Sequence, residues 1–142
     1  MTKIDVFPHI LPKPYFDKML SMSSRSAYMQ KRVRDIPVMY DLDVRFRIME
    51  QYQDYAQVLT LNLPPIEVVA GPKESPDLAK LANDSMAELV SKYPKHFPAF
   101  VASLPLNNPA GIEIAPDEVR AVRERLERED LTVLAYRFAG DK

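Results

Sequence analysis

His9 is the side chain best placed for chemistry in this chain of 142 residues. It ends the short apolar run Lys3-Ile4-Asp5-Val6-Phe7-Pro8-His9, which reads as a buried strand with a histidine at its tip. An imidazole there can hold a metal or move a proton near neutral pH, or simply be a ring satisfied by a hydrogen bond. Asp5 is either a buried supporting carboxylate or the polar start of the strand. Arg45 and Arg47 have planar forks that suit a substrate carboxylate, though a solvated helix face is the plainer account of either alone. His96, in Tyr93-Pro94-Lys95-His96-Phe97, precedes a strand and reads as a loop histidine at the structural end of a parallel sheet. Asn62 and Asn107 follow strands, where either a site or a turn would use them. Lys31-Arg32-Val33-Arg34 reads as a solvated basic cluster. Met19, Met22, Met29 and Met39 are apolar filling or a lid.

Positioning these residues falls to short strands that alternate with helices. Strands are expected at Lys3–Phe7, Gln57–Leu61, Ala99–Leu104 and Leu131–Tyr136, each brief and rich in β-branched or aromatic residues. Helices are expected at Pro14–Met22, Asp43–Tyr55, Ser75–Tyr93 and Pro116–Glu129. In the third of these, Ser75 suits a cap, Pro76 the first turn, and Leu78, Leu81, Ala82, Met86 and Leu89 one stripe. Residues 23–40 read as a long loop or lid. Alternation of this kind predicts an α/β fold with parallel strands and outer helices. Four strands are half of a (β/α)8 barrel, which usually takes ~250 residues. The expectation is one domain over residues 1–142, a partial barrel of about four βα units.

Composition bounds the partners. A net charge of −1 gives no reason to expect nucleic acid or an anionic membrane surface. No apolar run approaches the ~20 residues of a membrane span, and no signal-peptide series opens the chain. With no cysteine, disulfides and thiolate metal sites are excluded. Cytoplasm is the expected compartment. Thirteen prolines against three glycines punctuate the segment ends.

Asp5-Val6-Phe7-Pro8-His9-Ile10-Leu11-Pro12 resembles the Asp-x-His-x-His-x-x-Pro opening of the amidohydrolase superfamily. Asp43–Met49, Ala56–Leu61 with Pro64-Pro65, Leu78–Asp84, Ala87–Val90, Tyr93–Phe97 and Ala99–Leu106 follow in order. Together they resemble the amino-terminal part of the group containing aminocarboxymuconate-semialdehyde decarboxylase and hydroxybenzoate-type decarboxylases. The likeness is strongest over residues 3–109. Residues 110–142 diverge, and Asp117–Tyr136 also resembles a βα segment of xylose-isomerase-like sugar epimerases.

The resemblance implies a TIM barrel and metal-dependent decarboxylation or hydrolysis of a small carboxylated substrate, with a divalent metal such as Zn or Mn. It implies His9 as a metal ligand and Arg45 or Arg47 as a carboxylate clamp. Phe7 stands where the family's first histidine would be, and the remaining ligands of the family, two histidines and an aspartate, are not found in this chain. The expectation is therefore a family member impaired or incomplete on its own. The alternative is a non-catalytic, truncated half-barrel or interaction module. Such a module would self-associate or pair with a complementing chain through its open strand edges.

Overall fold

Proline placement and apolar spacing decide where this chain turns and where it packs. The computed structural model describes residues 3–22 and 27–108. β1 (Lys3–Asp5) and β2 (His9–Ile10) lead into α1 (Lys13–Met22) and α2 (Ala27–Arg34). A 3-10 turn at Pro37–Met39 precedes α3 (Leu42–Met49), which Asp41 caps by accepting the amides of Asp43 and Val44. β3 (Tyr55–Leu61), α4 (Ile66–Val69), α5 (Ser75–Lys92) and β4 (Ala99–Phe100) complete the described order. These residues fall in one compact unit, Met1–Ile112. No helix among them is long and apolar enough to cross a membrane.

All strand pairings are parallel, and β3 takes part in each of them. β1 pairs Lys3 with Tyr55 and Asp5 with Gln57, while β2 pairs His9 with Thr60 and Ile10 with Leu61. Residues 6, 7 and 8 thus stand opposite residues 58 and 59 alone, a one-residue bulge. Hydrogen-bond parity shows which edge each strand uses. The amides of Thr60 and Asn62 donate to Pro8 O and Ile10 O, at 3.2 and 3.0 Å. The Gln57 amide donates the other way, to His96 O, and Leu59 O accepts from the Val101 amide, both at 2.8 Å. β1 and β2 are therefore two halves of one strand, an edge strand among the described residues, and β4 lies on the other side of β3.

One face of this sheet packs on helices. Ile10, Met49, Leu59, Met86 and Phe97 form one buried cluster there, and α1, α4 and α5 bury a second around Tyr15, Met19, Leu78 and Ala82. On the opposite face Ile4 is 55% exposed and Phe7 73% exposed. Parallel sheets ordinarily cover both faces, so among the described residues the sheet is half covered.

Several expectations change. The first strand is split by the bulge instead of running Lys3–Phe7. The helix expected to reach Tyr55 stops at Met49, because the chain reverses through Asp54, whose φ of 56° is left-handed. Ser75 is the first residue of α5, not its cap, and its hydroxyl donates to Pro72 O at 3.4 Å. The expected loop contains α2 and the 3-10 turn. The third strand shortens to Ala99–Phe100. The helix Pro116–Glu129, the strand Leu131–Tyr136 and the divergent tail lie outside the described residues.

Tyr15 carries a testable cost. Its hydroxyl is buried with no hydrogen-bond partner among the described residues. Burial, helped by the charge of Glu67, pushes the phenol from 10.0 up to about 12. A raised acid favours its proton in the fold, so this contribution is full below pH 10 and is lost as pH climbs towards about 12. Tyr15→Phe is expected to lie within about 1 kcal/mol of the parent at neutral pH. It is also expected to lose less stability than the parent between neutral pH and about pH 11; urea unfolding at both values reads the difference.

Candidate functional site

The bulge re-aims the side chains around His9. Asp5 Oδ1 accepts the Phe7 amide at 2.9 Å, which closes the first half of the edge strand. Asp5 Oδ2 accepts from the Tyr55 hydroxyl at 2.8 Å on the helix-covered face. Past the bulge, Phe7 and His9 meet edge to face, with ring centroids 4.5 Å apart and an interplanar angle of 66°. Asp5 and His9 therefore work on different faces, although a regular strand would put residues 5, 7 and 9 on one side. Phe7 does not fill an interior; its ring lies open against the imidazole.

Thr60 sets the state of that imidazole. Its Oγ1 is 3.1 Å from Pro8 O and 3.1 Å from His9 Nδ1. A carbonyl only accepts, so both contacts are hydrogen bonds at once only when the hydroxyl donates to Pro8 O. Oγ1 then accepts from Nδ1–H, which leaves the lone pair on Nε2. His9 is in this way prepared as a ligand or base at the carboxyl end of its strand, the end where barrel enzymes keep their sites.

Arg45 lies behind the strand. It is 4% exposed, and burial lowers its guanidinium to about 10, with Tyr55 and Asp5 opposing that fall. It stays charged at neutral pH. Nε donates to Val38 O at 3.1 Å, Nη1 to Gln57 Oε1 at 2.6 Å, and Nη2 to His9 O by a short bond. Gln57 Nε2 in turn donates to the Tyr55 hydroxyl at 3.0 Å. Arg47, two residues on, is exposed, with Nε donating to Asp43 O at 3.2 Å. The structure thus ties Arg45 to the backbone of His9 and turns Arg47 to solvent.

The remaining candidates are scattered. His96 lies against Phe46, 4.9 Å between centroids, and lines a cleft of about 270 Å³ with Glu50, Asp54 and Lys95 at the amino end of the strands. Asn62 Nδ2 contacts Met39 Sδ at 3.0 Å, and Asn107 Nδ2 donates to Ala70 O at 3.0 Å. In α2, Val33 is buried and Lys31 and Arg34 are exposed. Met19 is core. A cleft of about 360 Å³ opens at the carboxyl ends of β3 and β4, lined in part by Asn62, Glu67 and Ser103. Thr60, Gln57 and Tyr55 were not singled out in advance. A glutamine between Ala56 and the apolar pair Val58-Leu59 was the available signal, since a buried amide needs a partner.

Does this donor set fit a divalent metal? Zinc sites typically take three or four protein ligands. The His9 ring meets a phenyl ring and a hydroxyl. Among the described residues no three His, Asp or Glu side chains gather as ligands. The set does not fit.

No protein-family profile matches the chain. Its homologues are gamma-resorcylate decarboxylases, members of the amidohydrolase superfamily, matched over part of the chain. The enzyme of Rhodococcus jostii (strain RHA1) is 34% identical over 92 residues, which is 65% of this chain and 25% of that protein. That of Polaromonas sp. (strain JS666 / ATCC BAA-500) is 36% identical over 83 residues, 58% and 24%. The chain spans about a quarter of the length of these relatives. Among solved structures, 2,6-dihydroxybenzoate decarboxylase from Rhizobium superposes with a TM-score of 0.57 at 22% identity, covering 92% of this chain and 36% of that one. The dihydroxybenzoic acid decarboxylase from Polaromonas sp. JS666, with bound manganese and the inhibitor 2-nitroresorcinol, gives 0.54 at 22% identity, again over 92% and 36%. These neighbours are TIM barrels, and the fold here is a partial barrel of that kind.

Proposed function

We propose that this chain is an amidohydrolase-related protein of the aromatic-acid decarboxylase kind whose residues 3–108 keep the frame of the site and not its metal-dependent chemistry. The kinship supports the first half of this reading. The observation that carries the second is the surroundings of His9: one imidazole, flanked by Phe7 and held by Thr60. In this reading neither arginine clamps a substrate carboxylate. Arg45 is bound to protein acceptors, and Arg47 faces solvent.

The test uses the purified chain equilibrated with Zn²⁺ or Mn²⁺ and then desalted. Metal content is expected well below one ion per chain, with no CO₂ released from 2,6-dihydroxybenzoate. Stoichiometric metal with turnover overturns the proposal.

The half-covered sheet favours a second reading, an association module. Ile4 and Phe7 are exposed apolar side chains on that face, the kind of surface that association covers. Light scattering over a hundredfold range of concentration then shows a dimer or larger species; a monomer throughout removes this reading.

A further inference from the structure

We propose that Arg45 is the positioning residue of the His9 site, holding the bulge in the edge strand and thereby the direction and tautomer of the imidazole. The inference does not depend on what reaction, if any, the chain performs.

Backbone parity gives the first step. Pro8 O and Ile10 O accept from β3, so the carbonyl of His9 between them points away from the sheet. In a continuing sheet a neighbouring strand would claim that carbonyl. Here the Arg45 guanidinium takes it. The next outward group, the Leu11 amide, donates to Met39 O at 2.7 Å, and Arg45 Nε binds the adjacent Val38 O. One buried cation thus ties the outer edge of β2 to the 3-10 turn.

The second step is continuity with the other half of the strand. Arg45 Nη1 binds Gln57, Gln57 binds Tyr55, and Tyr55 binds Asp5. The second oxygen of Asp5 then accepts the Phe7 amide at the start of the bulge. An unbroken chain of hydrogen bonds therefore runs from Phe7 N, behind the sheet, to His9 O. It grips the extra residue of the bulge from both sides. Charge-assisted bonds of a planar fork fix orientation as well as position. With the backbone of residues 7–9 held, Pro8 O stays where Thr60 Oγ1 can donate to it, and the same oxygen stays where Nδ1–H can donate. Release of Arg45 frees His9 O, lets the bulge migrate, and uncouples the ring from Thr60.

The experiment compares the parent with Arg45→Met, Arg45→Lys and Gln57→Glu in the full chain. Nitrogen-15 NMR reads the two ring nitrogens of His9 at about pH 8.5, where an ordinary imidazole is neutral. Amide hydrogen exchange reads Phe7 and Leu11. In the parent, Nδ1 is expected to carry the proton. In Arg45→Met the ring is expected to revert to the tautomer mixture of free histidine, with Phe7 and Leu11 exchanging at least about tenfold faster. Arg45→Lys is expected to fall between, since a compact ammonium keeps the charge but lacks the planar fork that spans the three separated acceptors. Gln57→Glu keeps an acceptor for the guanidinium but loses the donor to Tyr55, and is expected to shift the same signals less than Arg45→Met does. If Arg45→Met does not fold, Tyr55→Phe removes the two links made by its hydroxyl, to Gln57 and to Asp5, and is expected to shift the same signals less. A parent-like His9 tautomer in whichever of these two variants folds overturns the proposal, even where overall stability has fallen.

Discussion

Phe97→Ala is expected to destabilise the fold by about 3–5 kcal/mol, the range for a fully buried phenyl ring. Phe97 is 0% exposed and joins Met49, Leu59 and Met86 in one cluster. Its ring stacks on Phe46, 5.6 Å between centroids at 27°, and its amide donates to Tyr93 O at 2.9 Å. It sits two residues before β4, so the cavity opens where β4 meets α5 and β3. Among the described residues helices cover one face of the sheet, and no second core layer lies on the other to compensate. Small domains hold roughly 5–15 kcal/mol in all, so this single truncation removes a large part. Phe7→Ala is the internal control. The same deletion from a ring that is 73% exposed is expected to cost under about 0.5 kcal/mol. Urea titrations of both variants should show a lower midpoint for Phe97→Ala at unchanged slope. A loss below about 1 kcal/mol would mean that the cluster repacks around the void.

What was legible in the sequence followed period and punctuation. α5 was readable because Pro76 fits a first turn and the stripe from Leu78 to Leu89 keeps the helical period. β3 was readable from Gln57-Val58-Leu59-Thr60-Leu61, though it begins earlier, at Tyr55. Tyr52 and Tyr55 fit the stripe of α3 equally well, and a turn over residues 50–54 that ends on a left-handed Asp54 separates helix from strand. Side-chain spacing carries no record of such a backbone choice.

The site was legible in its residues and not in its geometry. Alternation put Asp5, Phe7 and His9 on one side, and the bulge undid that. The local cue was present: an aspartate two residues before an amide it can accept is a common way to turn a chain. The two arginines follow a similar rule. Residues two apart on a helix point roughly 200° apart, so one of them had to face away. Arg45 shares its face with the buried Met49, four residues on, and Arg47 does not. A cation predicted to face substrate proved to be the inner one, bonded to protein. Burial of a charge is tolerated there because Gln57, Val38 and His9 supply oriented acceptors.

Phe7→His should tighten zinc by about two to three orders of magnitude and still fall short of a working metal site. A four-ligand zinc site is worth about 10–16 kcal/mol, or roughly 3–4 kcal/mol per ligand. One imidazole alone therefore binds in the millimolar range or weaker. A second at position 7 would stand where the phenyl ring now lies, 4.5 Å from His9 between ring centres, close enough for two nitrogens to share an ion. Two ligands give about 6–8 kcal/mol, a Kd of roughly 1–50 μM. Nε2 of His9 is ready for this, since Thr60 holds the proton on Nδ1. The fold should tolerate the change because the ring it replaces is exposed. Calorimetric titration of both proteins with Zn²⁺ reads the difference. A nanomolar site in the variant would show that further ligands converge on His9, contrary to the donor set found among the described residues. No gain at all would place the fault in the bulge, which would then aim position 7 away from the shared ion. Micromolar binding without decarboxylation would show that imidazoles at positions 7 and 9 do not by themselves make a working metal site.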